Sequence, residues 1–164
     1  MKTKKVAFLG LTIALSMILS FVESQIPPLV AVPGVKAGLA NIVTVFMLYR
    51  VSIKETASVS LIRVILSSLL FGSVMSMAYG LAGAVLSLIG MALLKKSGLF
   101  SPIAVSVAGG VLHNIGQIAV AIFVTETAEI AYYLPVLLIS GTLAGIVIGA
   151  AAGIIVKRTE KLKL

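Results

Sequence analysis

Few side chains in this sequence can do chemistry, and most of them lie inside apolar runs. His113, the only histidine, is followed by Asn114 and Gln117 within the apolar stretch 102–124. On a helix, residues three and four apart share a face, so these three polar groups point broadly the same way. Arg63 lies well inside another apolar run, with Ser60 three residues before it and Ser67 four after, a hydroxyl, guanidinium, hydroxyl face. An arginine near the centre of a membrane helix costs about 2.5 to 3.5 kcal/mol on insertion scales, so something must offset it. The offset is either a pair with Glu23 or with backbone carbonyls, or a clamp on an anionic or carbonyl-bearing ligand. A third set, Glu23, Gln25, Lys36 and Asn41, clusters around the end of the first apolar run and the start of the second, although Lys36 alone also reads as a snorkelling interfacial residue. Taken together, Arg63, His113, Asn114, Gln117, Asn41, Lys36 and Glu23 outline an outward-facing pocket for a small polar or anionic molecule.

Other chemistries lack their residues. The chain has no cysteine and no aspartate, and its five acidic residues, Glu23, Glu55, Glu126, Glu129 and Glu160, are scattered. Disulfides, thiolate iron-sulfur ligation and thiol nucleophiles are therefore excluded, and no paired-carboxylate metal site can be drawn. One imidazole without nearby ligands does not make a metal site either. There is no Gly-x-x-x-x-Gly-Lys-Ser/Thr loop, so ATP hydrolysis would belong to partner subunits. No residue is assigned a catalytic role, and the reading leans away from an enzyme.

The elements that must position these residues are membrane helices. Of 164 residues 60% are hydrophobic and only 11% charged, which excludes an ordinary soluble domain and leaves a single integral membrane domain over 1–164. The apolar runs predict an all-α bundle of six spans at 6–22, 37–49, 56–74, 78–94, 102–124 and 132–156. The first run is retained as a helix, since no small-x-small cleavage site follows it. Between the first two spans, residues 26–35 are apolar but carry three prolines and a glycine, which predicts a re-entrant or capping loop. The net charge of +8 does not imply nucleic acid, because the basic residues flank the apolar runs. With both termini inside, eleven lysines and arginines lie on the cytoplasmic side and only Lys36 outside, so the chain reads as N-in and C-in. Gly141, Gly145, Gly149 and Gly153 form one stripe on the last span, and Gly10 and Ala14 a shorter one on the first. Each stripe fits either close helix packing within the chain or the docking of a partner subunit.

Four blocks in order carry a family resemblance: Glu23-x-x-x-Pro27-Pro28; Pro33-Gly34-Val35-Lys36 through Gly38 to Asn41; Arg63 through Gly72; and Gly109-Gly110-Val111-Leu112-His113-Asn114-x-Gly116-Gln117. The chain resembles the Gx transporter family, also labelled heptaprenyl diphosphate synthase component I, over nearly its whole length. That family is similar to the substrate-binding S components of energy-coupling factor transporters. The resemblance implies six helices in a bacterial cell membrane, a vitamin-like or isoprenoid- or quinone-related solute, and a first-helix surface, at Gly10 and Ala14, that docks a coupling protein working with ATPases. Relatives associated with flavin-based extracellular electron transfer imply the alternative of a redox membrane subunit with a redox partner and a non-covalent flavin or quinone. The covalent flavinylation motif is missing. The synthase label implies at most a non-catalytic accessory, because magnesium-dependent prenyl transfer uses aspartate-rich motifs that this chain does not have.

Overall fold

The computed structural model describes residues 2–26 and 38–161. Among them are six α-helices and a short 3-10 helix, with no β-strand: α1 (Lys2–Gln25), α2 (Asn41–Arg50), α3 (Ile53–Phe71), α4 (Val74–Ser97), α5 (Pro102–Thr125), the 3-10 helix Ala128–Tyr133, and α6 (Leu134–Arg158). The predicted proline-rich loop and Lys36 lie outside the described residues, apart from Ile26 at the loop's start.

Local chemistry sets the helix ends. Ser52 and Glu55 form a capping box that starts α3 three residues earlier than the apolar pattern suggests, and Ser73 and Ser76 form another that starts α4 at Val74. Gly98 ends α4 in the left-handed conformation, beyond Lys95 and Lys96 in the last turn. Ser101 caps α5 ahead of Pro102, whose missing N–H costs nothing at a helix start. At the head of α2, Gly38 has φ of 75°, and a side chain there would also meet Ile148. This turn delays α2 to Asn41, so the helix has ten residues.

Four helical segments are long and apolar enough to cross a membrane: Thr3–Gln25, Val74–Ser97, Pro102–Thr125 and Ala128–Arg158. The expected count of six spans is therefore not met by length and composition alone. At about 1.5 Å per residue the ten residues of α2 cover roughly 15 Å, about half the hydrocarbon thickness. The nineteen residues of α3 are long enough but include Lys54, Glu55 and Arg63.

The short helix is the centre of the bundle. Its Val45 and Leu48 join Leu88 and Met91 of α4, Val105 of α5 and Ile148 and Ala152 of α6 in one buried cluster. Its Val43 and Met47 join Val59 of α3 in a second, against Phe8, Leu9 and Ile13 of α1. A helix apolar on every side is one surrounded by others. Around it α3, α4, α5 and α6 follow in order, α2 packs on α6 and α3, and α1 lies against α3.

Basic residues mark one end of this bundle. Lys5 of α1 pairs with Glu55 at the start of α3. The Lys95 ammonium donates to the Leu48 carbonyl at the end of α2 and sits 5.4 Å from the Tyr49 ring centre. At the opposite end the Phe21 and Phe71 rings meet tilted by 54°, with centres 5.3 Å apart, between α1 and α3.

Candidate ligand-binding site

Polar residues of four helices, α1, α2, α3 and α5, converge on one cavity. Glu23 from the end of α1, Asn41 from the start of α2, Arg63 from the middle of α3, and His113, Asn114 and Gln117 from α5 all line it. The cavity is partly open, and its volume is about 80 Å³. Asn41, the first residue of α2, lines the cavity, and Val45 one turn on forms part of the wall.

Close helix approach holds α5 in place from both sides. A Cβ on Gly110 would lie 2.4 Å from the Gly141 carbonyl of α6, and one on Gly116 would lie 2.8 Å from the Ala82 carbonyl of α4. Only glycine allows backbones this near, so the glycines of the 109–116 segment wedge α5 between α4 and α6. Gly83 of α4 likewise leaves room for the His113 imidazole, whose Cε1 lies 2.9 Å from where a Cβ would be.

The α6 stripe is consumed by the same packing. Cβ atoms on Gly145 and Gly149 would fall 2.6 Å and 2.7 Å from the backbones of Val107 and Ile103 on α5. The reading of Gly141, Gly145 and Gly149 as a partner-docking surface is thus corrected: α5 of the same chain occupies it, leaving no space for another protein's helix. Gly153, with Pro102 at 3.8 Å, marks the loose end of the contact. Gly10 and Ala14, in contrast, are exposed, and nothing lies within 4 Å of a Cβ on Gly10.

Within the cavity the polar groups are unequally satisfied. Arg63 Nη2 donates to Asn41 Oδ1 at 3.0 Å, so the arginine is tied to α2. The Glu23 carboxylate accepts from the Gly38 N–H, which holds the end of α1 to the turn before α2. Asn114 Nδ2 donates to the Leu137 carbonyl, which also accepts from Ser140 Oγ, so Asn114 ties α5 to α6 as well as forming cavity wall. Arg63 Nε and Gln117 Oε1 are buried without a hydrogen-bond partner among the described residues. A buried donor and a buried acceptor left unmade each cost about 1 to 3 kcal/mol.

Several wall residues were not singled out from the sequence. Ser87, Ser106 and Ser140 also line the cavity, from α4, α5 and α6. Ser106 lies seven residues before His113, two turns along one face of an apolar helix, and that spacing was the available signal. A second, smaller cavity shares Glu23 and Arg63 and is lined by Ser20, Ser24, Ser67, Ser68 and Ser76. Ser67 belongs there, whereas Ser60 is buried and lines neither cavity. No group of three or more His, Cys, Asp or Glu residues that could hold a metal ion comes together among the described residues.

The sequence profile of heptaprenyl diphosphate synthase component I matches residues 12–155, nearly the whole of the described bundle and every cavity residue named above. The chain belongs to the heptaprenyl diphosphate synthase component I family. Searches of curated proteins and of solved structures return no match. The name of this family implies a further component with which its members work.

Proposed function

We propose that this component I protein is a membrane-embedded binding subunit that takes a small polar solute into the central cavity and works with partner subunits in its transport. The carrying observation is the pair Arg63 Nε and Gln117 Oε1, buried without hydrogen-bond partners among the described residues on two side chains that line the same cavity. Intramembrane polar groups are expensive to keep, and a ligand that satisfies both would recover their cost. In this reading Arg63, Gln117, His113 and Asn41 contact the solute, and Glu23 and Asn114 hold the walls. Both termini are cytoplasmic, with the basic end of the bundle inward.

The partner docks on α1. Gly10 and Ala14 are exposed on a helix whose Val6 and Leu11 are also each 68% exposed, which supports close approach by a helix of a second membrane protein. Transport energy comes from such partners.

The test is the small-molecule content of the purified protein. Extraction and mass spectrometry of wild type and of an R63A/Q117L double variant, both folded by size-exclusion profile, should reveal a solute in the first and not in the second. Identical extracts from the two would overturn the proposal.

A further inference from the structure

The charge balance of the central cavity says which solutes it favours, and the inference rests on the binding role just proposed. We infer that the site is built for an uncharged solute presenting one hydrogen-bond acceptor and one donor, and that it disfavours polyanions such as a prenyl diphosphate.

The described lining residues include one formal positive charge, Arg63, and one formal negative charge, Glu23. The two side chains share the walls of both cavities. Among the described lining residues the formal charges are therefore one of each sign. The guanidinium is also partly spent, since Nη2 serves Asn41 and Nε is its buried unpartnered donor. A diphosphate or carboxylate site normally presents an arginine fork free for two parallel bonds, or several cations together.

Gln117 sharpens the choice. Its Oε1 is an acceptor, and it needs an N–H or O–H from the solute. A fully ionised carboxylate or diphosphate has no such donor and would bring negative oxygens against an amide oxygen and against Glu23. An amide, imide or hydroxy-carbonyl edge supplies an acceptor for Arg63 Nε and a donor for Gln117 Oε1 together. The serine hydroxyls at Ser87, Ser106 and Ser140 add donors and acceptors without net charge.

The absence of native cysteine permits a direct test on the full-length protein. A Ser140→Cys variant places one thiol on the cavity wall, and Ser106→Cys offers a second position should the first fail to fold. Each is modified with a trimethylammonium methanethiosulfonate and with a sulfonate methanethiosulfonate, and rates are normalised to a free uncharged thiol in solution. A balanced cavity predicts normalised rates within about fivefold of each other, whereas clefts of one sign enrich counter-charge tenfold or more. Adding Glu23→Gln should then tip the ratio toward the sulfonate by about fivefold or more. A sulfonate or ammonium preference above that range before Glu23 is changed would overturn the inference, as would a ratio that Glu23→Gln does not move. A thiol that reacts with neither reagent in the folded protein, yet fully after denaturation, would instead remove the open cavity and with it the binding role itself.

Discussion

At the residue scale, the cavity separates groups that hold the bundle from groups held in reserve. Asn114 is spent on the Leu137 carbonyl, so Asn114→Leu should lower the thermal midpoint of the detergent-solubilised protein, by the roughly 0.6 to 1.7 kcal/mol measured for interhelical hydrogen bonds in membranes. Gln117→Leu should do the opposite. It removes a buried carbonyl oxygen that has no partner, so stability should stay level or rise while the co-purified solute is lost. A midpoint that falls as far for Gln117→Leu as for Asn114→Leu would show Gln117 to be structural. For Arg63→Ala the expected loss is at least about tenfold in bound solute, from the 1.5 to 3 kcal/mol typical of hydrogen bonds to a charged group. Arg63→Lys should not restore it, because an ammonium cannot reach Asn41 and the solute with the same planar fork.

At the element scale, small residues decide which helix faces are closed. Gly145→Val would drive a side chain into the Val107 backbone, 2.6 Å from the new Cβ, and should destabilise by about 1 to 3 kcal/mol, read as a drop in thermal midpoint. Gly10→Val meets nothing within 4 Å and should leave the midpoint unchanged while abolishing co-purification of a partner subunit. The start of α3 adds a pH dependence. Hydrogen bonds from Lys5 and from the Ser52 backbone hold the Glu55 carboxyl below its ordinary range. Because the folded value is depressed, the stabilisation is present above the unfolded value of about 4.3 and disappears as pH falls through the folded value. Glu55→Gln should therefore melt lower than wild type at pH 7 and converge with it in strong acid.

At the scale of the whole molecule, the ten-residue α2 organises the rest. Enclosed on every side, it supplies the packing centre through Leu48 and Met47, each fully buried, and its first residue, Asn41, lines the cavity. Basic residues gathered at the other end predict a single orientation. A fluorescent protein fused after residue 161 should fluoresce in the cytoplasm, and a phosphatase inserted at Thr127 should be active outside. The reverse pattern would invert the molecule and place the cavity on the cytoplasmic side.

Much of this was already present in the order of residues. Apolar runs and their basic flanks determine an all-helical membrane-type chain, since the length and hydropathy of a segment are local properties. Arg63, His113, Asn114 and Gln117 could be singled out for the same reason: their cost in an apolar run does not depend on what lies opposite. Which of them are satisfied could not be read that way, because a hydrogen bond from Asn114 to Leu137 or from Arg63 to Asn41 joins residues far apart in sequence. The glycine stripe of α6 is visible as a pattern, but only tertiary packing assigns it to α5 and leaves the α1 stripe open. The cavity itself acquires walls only when six helices pack around it, which no local stretch of sequence determines.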